Sequence, residues 1–285
     1  MNDPFEPHTA NVTQYYDSHP INEEQILRAL ASKNIALGGL TQDVLKDYDQ
    51  DHYGGVQAND ILARKAGVES RHVVLDVCSG VGGPSRYLAY QYGCQVVGLD
   101  FTESRYRAAQ YLTRLVGLDH LVSYRHGNAL AMPFGDAEFD IAIGQEAWCH
   151  VPDKARLIAE CARVLKPGGV IAFTDILRQP SLTEPEWQQL AREMTYADLG
   201  SFERYRLLLE QNGFSIEACD NLSADWAQIL KKRLAMYRSL KDETIRHFGA
   251  AHYDAWDRSY SFFVGLYQVD KLGGGRFVAR KTGQI

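Results

Sequence analysis

Several residue patterns in this chain could do chemistry on a ligand that carries a nucleoside. The stretch Val73-Val74-Leu75-Asp76-Val77-Cys78-Ser79-Gly80-Val81-Gly82-Gly83 is an apolar run that ends in an acid and a glycine-rich turn. Glycine has no Cβ, so such a turn lets backbone approach a ligand closely. Val96-Val97-Gly98-Leu99-Asp100 closes a second apolar run with an acid 24 residues beyond Asp76. A carboxylate at the tip of a strand can take both hydroxyls of a ribose. Farther on, Gln145-Glu146-Ala147-Trp148-Cys149-His150 follows a third apolar run and supplies an imidazole that can exchange a proton near neutral pH.

The glycine spacing separates two kinds of nucleoside ligand. A dinucleotide site needs Gly-x-Gly-x-x-Gly to set a pyrophosphate on a helix N-terminus. Gly80, Gly82 and Gly83 do not meet that pattern. They resemble instead the first motif of class I methyltransferases, in which an acid is followed by alternating glycines. Cys78 stands where that family usually has glycine, and a small residue is expected to fit. Gly127-Asn128-Ala129 before Met132-Pro133-Phe134, and Leu165-Lys166-Pro167-Gly168-Gly169 before Val170, are similar to further motifs of the family, in the same order. The family's usual Asp is Asn128 here; its amide carbonyl can still accept a hydrogen bond from an adenine amino group. The resemblance implies S-adenosylmethionine as cofactor, with contacts at Asp76, Ser79, Gly80, Gly82, Asp100, Phe101, Asn128, Ala129 and Gln145.

Elements that could position these residues follow a regular rhythm. From Arg71 to Ile176, strands at 73–77, 95–99, 121–124, 139–144 and 169–175 alternate with helices at 85–92, 103–116 and 154–165. This predicts an α/β fold, a doubly wound and mostly parallel sheet with ligands at the carboxyl ends of its strands. Phe214–Ala218 continues the sheet. The ending Gly274-Gly275-Arg276-Phe277-Val278-Ala279-Arg280 could be an antiparallel last strand, which would complete a seven-stranded Rossmann-like methyltransferase fold.

Residues 1–70 read as an N-terminal helical arm and cap, and 71–285 as the methyltransferase domain. Residues 1–21, with Pro4, Pro7 and Pro20, read as an arm. Asn22 caps a helix with Ile26, Leu27 and Leu30 on one face, and a second helix is expected from Thr41. The turn Asp49-Gln50-Asp51-His52-Tyr53-Gly54-Gly55 is either a cover over the cofactor or a plain connector. Helical insertions at about 183–199 and 224–269 are expected to form a lid. The first has a capping box at Thr183-Glu184-Pro185-Glu186, then Trp187, Leu190 and Met194 on one face. The second has Tyr253, Trp256, Tyr260, Phe263 and Tyr267 at helical spacing, a pattern that also suits a core face.

Composition narrows the function classes. A chain of 285 residues, 45% hydrophobic, can bury one good core. A net charge of −6 disfavours a nucleic-acid partner. The basic run Lys231-Lys232-Arg233 lies in an amphipathic stretch and reads as a solvated helix face. Five cysteines without a Cys-x-x-Cys pair, and no signal peptide, suggest free thiols in a reducing cytoplasm. No apolar run approaches the ~20 residues of a membrane helix. No histidine pair has metal spacing on a helix, so no metal is expected. A homodimer stays open.

The stretch Gln145 to Lys154, continuing to Pro167, is similar to sarcosine/dimethylglycine N-methyltransferases, as are Leu199–Arg206 and the ending near Gly273–Lys281. That resemblance implies a small-molecule amine as methyl acceptor, such as an amino acid. Carbon, oxygen or sulfur acceptors, such as a natural product, quinone or sterol, stay open, and a nicotinamide-dependent oxidoreductase is a remote alternative. His150 and Gln145 are the candidate catalytic residues. Candidate acceptor contacts are Tyr53, Trp148 and His150, with Arg178, Tyr205 and Arg206 as partners for an acidic substrate.

Overall fold

In the computed structural model, which describes residues 6–17 and 22–283, the alternating pattern becomes a single seven-stranded sheet. Its strands are β1 (Val73–Val77), β2 (Gln95–Asp100), β3 (Val122–His126), β4 (Phe139–Gln145), β5 (Leu165–Arg178), β6 (Phe214–Asn221) and β7 (Leu272–Lys281). The order across the sheet is β3-β2-β1-β4-β5-β7-β6. Strands β1 to β5 pair in parallel, and β7 runs antiparallel to both β5 and β6. The expected fold is therefore the observed one. From β1 the chain goes to β2 on one side, while β4 lies on the other, so a crevice opens at the carboxyl ends of β1 and β4.

Two apolar layers hold the sheet. Leu75, Val77, Ala142, Ile171 and Phe173 point to one face and pack with helices α7 (Lys154–Val164) and α9 (Phe202–Gln211). Val74, Val96, Ile141, Ile143 and Ala172 point to the other, against α4 (Gly55–Ala66) and α5 (Gly83–Tyr92). Strands buried on both faces read as continuous apolar runs, which is why they were visible in the sequence.

The described part of the N-terminal arm is helical. Helix α1 (Glu6–Asp17) covers the carboxyl edge of the sheet. Its inward residues include Tyr15 and Tyr16, so the helix lacks the aliphatic stripe that would mark it. Residues 1–5 and 18–21 of the arm, with Pro4 and Pro20, lie outside the described residues, as do 284–285 of the C-terminal end. Helix α2 (Glu23–Ser32) is capped as expected, Asn22 Oδ1 accepting from Gln25 N–H at 3.0 Å. The helix expected from Thr41 is only one turn, α3 (Gln42–Leu45). The longer helix of this region is α4, which the sequence reading did not separate from the preceding turn.

The first insertion forms α8 (Glu184–Met194), with its capping box in place. The second forms α10 (Ser223–Ser239), α11 (Lys241–Phe248) and α12 (Ala250–Gln268). Strand β7 carries three successive glycines, and a Cβ at Gly274 would stand 2.3 Å from the Trp226 ring. The bare backbone lets α10 seat directly on the sheet. All five cysteines are free thiols. Among the described residues, no helix is long and apolar enough to cross a membrane, and no group of side chains could hold a metal ion.

Candidate active site

The crevice between β1 and β4 opens into a cavity of about 730 Å³, roofed by α1 and the α10–α12 helices. Its floor is built by strand ends. Cys78, at the end of β1, has φ +65, a left-handed conformation. The family's glycine at this position now has a physical reason, since a Cβ there costs roughly 1–2 kcal/mol. Gly80 follows at φ +55, and its N–H donates to Asp100 Oδ2 at 2.7 Å. The other oxygen of Asp100 accepts from Thr102 N–H at 2.8 Å. Burial raises the Asp100 carboxyl, while these two N–H groups and Arg105 hold it down. Asp76, deeper in the floor, accepts from the Ser85 hydroxyl at 2.5 Å, and burial pushes it up to about 7.

Asp76, Ser79, Gly80, Asp100, Phe101, Asn128, Ala129 and Gln145 all line this cavity. Gly82 does not. A Cβ there would lie 2.1 Å from the Tyr124 hydroxyl, so this glycine admits Tyr124 beneath the loop and is a packing position. Asn128 uses its carbonyl to accept from Leu130 N–H at 2.8 Å, which leaves a second lone pair for a ligand. Two buried polar atoms of lining residues, Ser79 Oγ and Gln145 Oε1, have no partner among the described residues. An orphaned buried polar atom is costly unless a ligand satisfies it. Asp100, the open turn at Gly80 and these two atoms suit a nucleoside with a polar amino-acid tail, so the residues fit S-adenosylmethionine.

The acceptor side differs more from expectation. His150 and Tyr53 line the cavity. His150 Nδ1 bonds the Thr195 carbonyl at 3.1 Å. A carbonyl only accepts, so Nδ1 carries a proton. The imidazole stands among Tyr15, Tyr16 and Tyr196, with ring centroids at 6.0, 5.2 and 5.2 Å. Burial raises all three phenols, which stay protonated. Trp148, expected as an acceptor contact, lies outside the cavity; it is fully buried, stacked on Phe173, and donates to the Val77 carbonyl at 3.3 Å.

Arg178, Tyr205 and Arg206, expected as partners for an acidic substrate, all lie outside the cavity. Tyr205 is fully buried and donates to Asp175 at 2.5 Å. Arg206 is exposed on α9, and Arg178 sits over the Trp187 ring and reaches the Leu182 carbonyl. Of the α8 face only Met194 reaches the cavity; Leu190 packs in a cluster with α12, and Trp187 lies at its edge. The aromatic stripe on α12 divides: Tyr253 and Tyr267 are buried outside the cavity, whereas Trp256, Tyr260 and Phe263 line it.

Glu146 was missed as a site residue. It follows Gln145 in a left-handed turn, φ +48, and its carboxylate accepts from the Tyr53 N–H and the Thr174 hydroxyl. Burial pushes it up to about 7, helped by Asp175 and opposed by those two donors. The loop 49–53 joins the two halves of the site. Asp49 pairs with Arg86 at 2.8 Å, Asp51 with Arg105 at 3.2 Å, and His52 Nδ1 accepts from the Gln145 amide at 3.2 Å. Burial lowers His52 to about 4, so it is neutral. Arg233 is turned inward, contrary to the solvated face expected for its basic run; Lys231 and Lys232 are exposed. The signal was present: Trp226, Leu230 and Arg233 fall at i, i+4 and i+7, one face of α10.

Residues 75–173 match the family model of a methyltransferase domain. A sarcosine/dimethylglycine N-methyltransferase of Halorhodospira halochloris is 32% identical over 159 residues, covering 56% of this chain and 56% of that protein. A sterol 24-C-methyltransferase of Eremothecium gossypii is 36% identical over 187 residues, covering 59% of this chain and 50% of that one. The chain spans about half the length of the curated relatives it matches. Among solved structures, Haemonchus contortus phosphoethanolamine N-methyltransferase 2, in complex with phosphomonomethylethanolamine and S-adenosylhomocysteine, superimposes with a TM-score of 0.76. It is 21% identical, and the match covers 95% of this chain and 60% of that one. That likeness supports the fold.

Proposed function

We propose that this chain, which carries a class I S-adenosylmethionine-dependent methyltransferase domain, methylates a small amine in the lidded cavity. The observation that carries the reading is one cavity in which Asp100 and the Gly80 turn meet Glu146, His150 and a wall of aromatic rings. When bound, S-adenosylmethionine supplies the electrophilic methyl group. Asp100 would hold the ribose hydroxyls, Asn128 the adenine edge, and Ser79 and Gln145 the polar tail.

The protein's task is then alignment and proton removal. An ammonium has no lone pair to attack with, so its proton must leave first. Glu146 would take that proton, its carboxyl being matched to neutral pH, and His150, fixed through Nδ1, would orient the acceptor nitrogen. Helix α1 and the α10–α12 helices would shield the acceptor from water on their side. A methylated ammonium product would rest against the faces of Tyr260 and Trp256, each worth about 0.5–2 kcal/mol.

Turnover is expected to rise with pH through about 7 as Glu146 ionises. Glu146→Gln should flatten that limb and slow turnover by roughly a hundredfold or more. An unchanged pH profile in the variant would remove Glu146 from the proton path. His150→Ala should depress turnover while S-adenosylhomocysteine affinity, read by calorimetry, stays near wild type; equal loss of both would make the histidine structural. Activity should be measured on glycine, sarcosine and dimethylglycine beside phenolic, thiol and alkene acceptors. Activity confined to the latter group would overturn the amine reading.

A further inference from the structure

We infer that Arg233 is the docking point for an anionic group, a carboxylate or a phosphate, on the methyl acceptor. The inference rests on the methyltransferase reading and narrows its substrate class. Two arginines line the cavity, Arg105 and Arg233. Arg105 has a carboxylate partner in Asp51 at 3.2 Å, and the fully buried Arg86 has one in Asp49. Arg233 pairs with no carboxylate among the described residues. Its Nη1 donates to the Asp51 carbonyl at 3.3 Å and its Nη2 to the His52 carbonyl at 3.2 Å. The Tyr53 ring lies 5.2 Å from its guanidinium carbon, and the Tyr260 hydroxyl is a further polar neighbour.

A guanidinium offers five N–H donors. The two carbonyls and one hydroxyl satisfy at most three. Asp51 and Glu146 act on Arg233 through space but neither carboxylate bonds its guanidinium, and a neutral side chain could satisfy the same two carbonyls. What the carbonyls do is fix the fork. A preorganised, partly unsatisfied guanidinium in an aromatic chamber is the arrangement that takes a carboxylate or phosphate by paired charge-assisted bonds. His52, whose carbonyl Arg233 bonds, is held neutral by burial and adds no charge of its own. Placement agrees: Arg233 projects from the lid helix α10, and its two carbonyls belong to the loop that also holds Gln145 through His52 and Glu146 through Tyr53. An acceptor anchored there lies beside the loop that bonds Gln145 and Glu146.

The test uses the full chain saturated with S-adenosylhomocysteine, whose own binding is measured first by calorimetry. Inorganic phosphate, benzoate and the neutral benzamide are then titrated into the complex and followed by ligand-observed NMR. Wild type should bind at least one of the two anions about tenfold or more tightly than benzamide. The better anion identifies the group the acceptor carries. Arg233→Gln should erase the difference, and Arg233→Lys, which keeps charge but not the fork, should retain part of it. An arginine that only straps the loop would change melting temperature and S-adenosylhomocysteine affinity in these variants but not the anion-to-neutral ratio. Anions that bind wild type no better than benzamide, or an Arg233→Gln variant with the wild-type ratio, would overturn the inference while leaving the methyltransferase reading standing. Failure of wild type to bind S-adenosylhomocysteine would overturn both.

Discussion

Asp100→Ala should weaken S-adenosylhomocysteine binding by about 2–4 kcal/mol, the cost of losing a charged partner for two hydroxyls. The structure adds a reason for the upper end of that range. Asp100 also fixes the glycine turn by accepting from Gly80 N–H and, at the start of the next helix, from Thr102 N–H. The variant therefore loses both a ligand contact and the hold on the loop that shapes the site. Asp100→Asn separates the two effects, because its carbonyl can keep one N–H bond while its amide cannot accept from a ribose hydroxyl. Calorimetry on both variants, with melting curves to report folding, reads the difference. Wild-type affinity in Asp100→Ala would show that the cofactor site is misplaced.

Arg86→Met should destabilise the fold by about 3–5 kcal/mol, because it strands a buried carboxylate. Arg86 and Asp49 are both fully buried; the guanidinium bonds Asp49 at 2.8 Å, Thr113 Oγ1 at 3.2 Å and the Ala109 carbonyl at 3.4 Å. Burial raises the Asp49 carboxyl and Arg86 opposes the rise, so without the arginine the acid is driven toward its neutral form. The pair attaches loop 49–53 to α5, and a Cβ at Gly83 would stand 2.2 Å from the Asp49 carbonyl, a measure of how closely loop and helix approach. Chemical denaturation gives the stability change. The double variant Asp49→Asn/Arg86→Met should recover part of it, since it leaves no charge unpaired. A loss below about 1 kcal/mol in Arg86→Met would mean that the pair is not holding the loop.

The strand-and-glycine-turn side of the cavity was legible in the chain, and the side walled by α1 and the α10–α12 helices was not, for one physical reason. Strand β1, its glycine turn, and Asp100 at the tip of β2 are set by short-range rules: buried parallel strands are continuous apolar runs, and tight turns need glycine. Their chemistry is therefore written within a few residues. The left-handed φ of Cys78 is the local departure, since cysteine carries no such mark.

The other side of the cavity is assembled from α1, loop 49–53, the end of β4 and the α10–α12 helices, segments as far apart as Tyr15 and Arg233. Tyr205 and Arg178 had suitable side chains but were oriented by α9 and β5 away from the cavity, toward Asp175 and Trp187. Arg233 had been placed among solvated lysines, yet the glycines of β7 let Trp226 sink onto the sheet and rotated the same helix face inward. The sequence alone thus determined the fold class, the glycine turn and the acid that follows it. Which cation, carboxylate and rings face the cavity was decided only by tertiary packing, because the direction of a helix face depends on what it is packed against.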